Sequence, residues 1–248
     1  KELGYKSIAI TDHGNLYGAI EFYTKAKKLG IKPIIGVESY LAPRTRFEKV
    51  HKIDSKITHL TLLAKNLEGY KNLLKLVSKA HTEGYYYKPR IDIDLLKEHN
   101  KGIIALSGCL AGKISRLLTA NNFDEAEKSA NQFLEIFGKD NFYLEIGHHP
   151  GIEDSVNLIP KMIELSKKTN IPIVATNDIH YLNREDRDVH DVFLAVQTGK
   201  NTDEKNRLEA ARERNKERLA KIESLDKAQQ ERLAKVNEKN VEKIAELK

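Results

Sequence analysis

Cysteine is nearly absent: Cys109 is the only one in 248 residues, so no internal disulfide can form and a reducing cytoplasm is the default compartment. No segment joins a basic start to an apolar run and a cleavage site, which excludes a recognisable secretory signal. No stretch approaches the roughly 20 apolar residues that a membrane-spanning helix needs, so the expectation is a soluble protein with no membrane partner. Also missing are a Walker-type glycine loop, a G-x-G-x-x-G fingerprint, a G-x-S-x-G nucleophile elbow and a paired C-x-x-C knuckle. With these excluded, a metal site of mixed donors is the best remaining candidate.

What is present suits one large domain, or a domain with an appendage. Hydrophobic content of 40% and charged content of 31% fit a globular chain. The net charge of +6 is compatible with a polyanionic partner but argues for one only weakly. The chain starts at Lys1, and KELGYKSIAI reads as a helix end, a Gly4 stop and a buried strand, so a preceding segment is expected. After about Asn201 there is no Gly, Pro or aromatic residue. Leu219, Ile222, Leu225, Leu233, Val236, Ile244 and Leu247 then follow helical spacing among charges of both signs. The expected division is a domain at 1–207 and a charged helical tail or hairpin at 208–248. That tail is either a solvated hairpin or coiled-coil appendage making helix–helix contacts, or a helix that binds a partner or nucleic acid, and its balanced charge disfavours phosphate tracking.

Six apolar, β-branched runs read as strands: Ser7 to Thr11, Pro33 to Tyr40, His59 to Ala64, Gly102 to Ser107, Asn141 to Gly147 and Ile171 to Thr176. Amphipathic stretches at Gly18 to Leu29, Gly69 to Ala80, Asp124 to Phe137 and Ile152 to Lys168 separate several of them. Alternation of this kind predicts an α/β fold with a parallel sheet, open or closed into a barrel. Chemically loaded residues fall at or near strand ends, which favours the mouth of a barrel.

Imidazole, carboxylate and thiolate are the usual protein donors to zinc, and carboxylates also hold manganese or magnesium. Asp12 and His13 follow the first strand in TDHG, where Gly14 permits a tight reversal; the bland alternative is a capping Asp and a surface His. In ATNDIHY, Asp178 and His180 are separated by one residue and so point to one side of an extended chain, a pairing also common by chance. Glu38 interrupts an apolar run, where a carboxylate is costly unless paired, hydrogen-bonded or bound to metal. His59 opens its strand, as a donor or as a half-buried histidine bonded to backbone. Cys109 reads as a donor or a small buried hydrophobe. His148 and His149 are second-rank candidates. His51, His81 and His99 are expected to face solvent, and His190, near Asp186 and Asp191 on a helix, to make a salt bridge or cap. The patch YYYKPR from Tyr85 to Arg90 either stacks bases and tracks phosphate or packs as a loop anchor.

ITDHGNLYGAIEFYTKAKKLGIKPIIGVESYLAPR resembles the PHP domain of bacterial DNA polymerase III α subunits of the DnaE type. The resemblance continues through HLTLLAKNLEGYKNLLKLVS, YYYKPRID, ALSGCLAG, LEIGHHPGIED and ATNDIHYLNREDRDVHDVFLAVQTGK, covering residues 1–207. It implies a distorted (β/α)7 TIM-like barrel with a cluster of metal ions at the mouth. It also implies metal ligation by His13, Glu38, His59, Cys109, Asp178 and His180, with Asp12 supporting them. Zinc or manganese is the implied cofactor, with magnesium as a further option. In the family the domain opens on a strand carrying an H-x-H motif and a further ligand; this sequence begins after that point, so a fold lacking that first strand, with an incomplete ligand set, is expected. The implied role is in DNA replication, within a DNA-directed DNA polymerase that works with DNA and other replisome or polymerase domains. The domain itself would act as a metal-dependent 3′-to-5′ exonuclease or phosphoesterase. A non-catalytic docking scaffold and a histidinol-phosphatase-like phosphoesterase are the competing expectations.

Overall fold

A computed structural model describes residues 1–149 and 151–199; the tail expected at 208–248, and its boundary at 207, lie outside the described residues. The chain divides into two units, Lys1–Asp178 and Ile179–Lys248.

The first unit runs β1 (Ser7–Ile10), α1 (Ala19–Lys28), β2 (Lys32–Leu41), β3 (Thr58–Ala64), α2 (Leu67–Thr82), β4 (Arg90–Ile91), α3 (Ile93–Glu98), β5 (Ile103–Leu106), α4 (Lys113–Thr119), α5 (Phe123–Phe137), β6 (Phe142–Gly147), α6 (Glu153–Thr169) and β7 (Ile173–Thr176). All six expected strands form, and the two-residue β4 is an addition too short to leave a periodic signal. The sheet order is β1-β2-β3-β5-β6-β7, with β4 paired to β2. The strands curl into a half-barrel whose path ends at β1 and β7.

The expected all-parallel sheet is corrected in one place. β3 lies antiparallel to both neighbours, β2 and β5, while the β1–β2, β5–β6 and β6–β7 pairs are parallel. The cause is the link: residues 42–57 contain no helix, and without a crossover helix the chain returns beside the strand it left.

Period-two alternation separates the chemistry from the core. Val37, Leu60, Leu62, Ala105, Phe142 and Leu144 join one buried cluster with Leu73, Leu76, Leu95, Phe133 and Met162 from the helices. Residues of opposite parity on β2, β3 and β6, among them Glu38, Tyr40, His59, Thr61 and Glu145, share the other face. Asn66, Asp92 and Asn122 cap α2, α3 and α5 by accepting from Gly69 N–H, Leu95 N–H and Glu125 N–H, satisfying donors that a helix start leaves open.

Arg90, the last residue of YYYKPR, is fully buried. Its guanidinium donates to the carbonyl oxygens of Gly84, Asp54, Arg46 and Glu48 at 2.9–3.0 Å, fastening the 42–57 link to the body of the unit. Nearby, Arg44 makes two hydrogen bonds to Asp54, and Arg46 pairs with Glu83 and Asp92. The loop-anchor reading therefore holds for Arg90. His99 corrects an expectation of solvent exposure: it is 8% exposed, its Nε2 makes no hydrogen bond, and burial lowers its pKa.

In the second unit, a 3-10 turn at Arg184–Asp186 leads into α7 (Arg187–Thr198), which Gly199 closes in a left-handed conformation at φ +64°. His190 lies on α7 as expected, its ring 5.4 Å from Tyr181 and 5.7 Å from His180; Asp191 is the acidic neighbour that pairs, with Arg187 at 4.0 Å. Among the described residues, no helix is long and apolar enough to cross a membrane.

Removing the Arg90 fork strands four carbonyl acceptors at once. Arg90→Ala is expected to cost about 3 kcal/mol or more of stability, read as a lowered midpoint in urea unfolding, with Arg90→Lys only partly restoring it. An unchanged midpoint in Arg90→Ala would contradict the anchoring role.

Candidate metal centre

The TDHG turn is bound to β2 from both sides: Glu38 N–H donates to Asp12 O at 3.1 Å and Gly14 N–H to Glu38 O at 2.9 Å. Gly14 sits at φ +65°, and a Cβ there would fall 2.9 Å from both Pro89 Cγ and Tyr40 Cε2, so only glycine closes this turn. The turn places the His13 ring opposite Glu38, with Nδ1 3.3 Å from Oε2. His81 Nε2 reaches Gly14 O at 3.0 Å, which gives that exposed histidine a positioning contact.

The reversed direction of β3 supplies the next donor. Because β3 starts where the parallel strands end, His59 at its beginning pairs with Tyr40 and reaches the same end of the sheet. Its Nδ1 is 2.6 Å from Glu38 Oε1. After β5, Gly108 turns at φ +89°, and a Cβ there would approach His59 O to 2.7 Å. That close approach brings Cys109 Sγ to 3.4 Å from Glu38 Oε1 and 3.8 Å from His59 Nδ1. Tyr40 stacks against His13 at 6.0 Å and meets His59 edge-on at 5.3 Å.

Among the described residues, His13, Glu38 and His59 form the group whose donor atoms all lie within 4.8 Å of one another. Asp178 acts on this region through charge, since it helps to raise the Cys109 pKa; it is exposed and left-handed at φ +47°. Asp12 has its carboxylate beside Gly18 at the start of α1. The His149 ring folds back toward Gly147 while its N–H donates to Ser155 Oγ. His180 belongs to the second unit, where it packs against His190.

Electrostatics distinguish the donors. Burial pushes the Glu38 carboxyl up, but the hydrogen bond from His59, the charges of His13 and His59, and the Cys109 contact outweigh it, leaving the pKa below the ordinary range. Burial, with the Glu38 and Asp178 charges, pushes the Cys109 thiol up to about 12, so it carries a proton that a bound cation would displace. Two imidazoles and a carboxylate within 4.8 Å of one another, with a thiol 3.4 Å from that carboxylate, are a donor set that fits zinc, and the carboxylate and imidazoles also fit manganese.

One residue escaped the sequence reading. Glu145 is buried on β6 and accepts from Thr61 Oγ1 (3.2 Å), Gly108 N–H (3.1 Å) and Thr176 Oγ1 (2.7 Å). Thr61 is the cross-strand partner of Glu38, Gly108 precedes Cys109, and Thr176 lies two residues before Asp178, so one carboxyl fastens three donor-bearing segments. Burial raises its pKa; the Thr176 and Thr61 hydrogen bonds oppose this, and the Glu38 charge adds to it. The signal that could have found it is the one that singled out Glu38: a carboxylate within an apolar run, here FYLEIG.

Among known proteins, the PHP domain family matches residues 1–149. The chain is 46% identical over 209 residues to DNA polymerase III subunit alpha of Borreliella burgdorferi, covering 84% of this chain and 18% of that protein. It is 47% identical over 222 residues to the Helicobacter pylori (strain 26695) subunit, with the same two shares, and 45% identical over 203 residues to that of Thermus aquaticus, covering 81% and 16%. The chain thus spans under a fifth of the length of these relatives. A solved structure from Bifidobacterium adolescentis aligns over 73% of this chain and 79% of its own at 11% identity and a TM-score of 0.40, too distant to carry weight.

Glu145→Ala is expected to weaken zinc binding by about 10- to 100-fold in competition with a chromogenic chelator, with Glu145→Gln intermediate. Parent-like affinity in a folded Glu145→Ala protein would detach this residue from the site.

Proposed function

The chain belongs to the PHP domain family, and from that membership we propose that it is the metal-binding phosphoesterase module of a bacterial replicative DNA polymerase α subunit, acting on the 3′ end of DNA. The observation that carries this reading is the convergence of His13, His59 and Cys109 on the two oxygens of Glu38. The polymerase context draws on the relatives, each a DNA polymerase III subunit alpha.

In this reading Glu38 is the central ligand, since one oxygen faces His13 and the other faces His59 and Cys109. His13, Glu38 and His59 would hold a divalent ion, the Cys109 thiol would bind it as thiolate after losing its proton to solvent, and Asp178, just after β7, is a further candidate donor. A divalent ion held there lowers the pKa of a bound water and neutralises charge on phosphoryl oxygens. The chain's own contribution is placement. His13 has 40% of its side chain exposed, against 9% for Glu38 and 18% for His59, so a phosphoester approaches from the His13 side while the other donors stay shielded. Tyr40, packed against both imidazoles, limits their rotation. Glu145 sits behind the donors and holds their segments in register.

The scaffold reading predicts metal without turnover. With manganese added, the 248-residue chain is expected to release mononucleotides from the 3′ end of a labelled single-stranded oligonucleotide, with loss of at least about 100-fold in rate in Glu38→Gln and on chelation. Stoichiometric metal with no release above the Glu38→Gln background would contradict the enzymatic reading and favour the scaffold.

A further inference from the structure

The segment Tyr85 to Lys88 has no part in the ligand set, yet it forms the rim beside it. Tyr86 N–H donates to Lys88 O at 3.1 Å, so Tyr87 stands at the apex of a three-residue turn at φ +59°. Bulky side chains rarely take that conformation, and burial does not offset its cost here: Tyr87 is 62% exposed and Tyr85 54%. Tyr86 does the anchoring, its ring 5.2 Å from the buried guanidinium of Arg90. The same guanidinium holds the carbonyls of Arg46 and Glu48, fixing between them Phe47, itself 59% exposed. The His51 ring lies 6.5 Å from that of Tyr87, so the 42–57 link and the tyrosine turn form one continuous surface.

The charges of this surface are unequal. Its carboxylates are taken by arginines, Glu48 and Asp54 by Arg44, Glu83 and Asp92 by Arg46. Lys49, Lys52 and Lys88 have no ion-pair partner among the described residues. Lys88 Nζ lies 5.6 Å from the Tyr40 ring, which stacks on His13, so the rim lies one ring away from the His13–Glu38–His59 group. Exposed aromatic side chains among unpaired cations match one ligand chemistry well: unpaired bases that stack, joined by phosphates that the lysines attract. A duplex hides its base faces and matches only the cations.

We infer that the Tyr85–Tyr87 rim is a stacking platform for single-stranded nucleic acid, with phosphates drawn to Lys49, Lys52 and Lys88, and that it leads a strand end to His13. The inference deepens the phosphoester reading above and depends on it for what happens at the cluster.

Fluorescence anisotropy of a fluorescein-labelled oligothymidylate, titrated with the 248-residue chain, tests the platform. Tyr87→Ala is expected to weaken binding about tenfold and Tyr87→Phe to leave it unchanged, with zinc content at the parent level in both. The Lys49→Gln, Lys52→Gln, Lys88→Gln variant should flatten the salt dependence. Tyr85→Ala, which alters no left-handed position, should also weaken binding and provides the test if Tyr87→Ala fails to fold. Parent-like affinity in the tyrosine variants, or a duplex binding as tightly as the single strand, would overturn the platform. Tyrosine-dependent binding without nucleotide release would leave the platform standing and sink the phosphoester reading. Hydrolysis of a small phosphodiester with tyrosine-independent DNA binding would do the reverse.

Discussion

A carboxylate buried in the middle of a ten-residue strand is expensive unless other groups meet it, and the first unit is organised around how Glu38 is met. One oxygen faces His13 and the other faces His59 and Cys109, so donors from three separate segments converge on a side chain supplied by β2. Each convergence has its own backbone cause. The TDHG turn closes because Gly14 accepts a left-handed φ, β3 runs backwards because its connection lacks a helix, and Gly108 lets the loop after β5 lie against His59. Remove Glu38 and these three features no longer share a purpose.

The two buried carboxyls of this face are tuned in opposite directions. Imidazoles and a thiol hold Glu38 below its usual pKa, whereas Glu145, among hydroxyls and one amide and near the Glu38 charge, is raised. Environments that separate two like groups assign them different work. Glu38 stays ionised between His13, His59 and Cys109, and Glu145 joins the segments that carry these side chains.

Much of the fold was legible in the sequence, because apolar runs of four to ten residues broken by amphipathic stretches leave a strong periodic signal. Strand direction was not. Periodicity is blind to it, and only the helix-free link between β2 and β3 bears on it. The same blindness concealed why His59 opens its strand while Asp12, His13 and Cys109 follow theirs; reversing β3 puts all of them at one end. Four expected donors, His13, Glu38, His59 and Cys109, come together, and Asp178 acts on Cys109 through charge. Glu145 carries the same signal as Glu38, a carboxylate within an apolar run, but no recognisable motif flanks it in FYLEIG. His99, at the end of a charged helix, gives no sequence signal of its burial.

The tyrosine turn and the buried Arg90 show how one short motif serves two ends, since the fork that fastens a loop also fixes the surface beside the cluster. The central claim remains the Glu38-centred site, and X-ray absorption at the zinc edge of the metal-loaded chain tests it most directly. The account predicts a shell of imidazole nitrogen and carboxylate oxygen with one sulfur scatterer that disappears in Cys109→Ser. A shell without sulfur in the parent chain, or a spectrum that Glu38→Gln leaves unchanged, would contradict it.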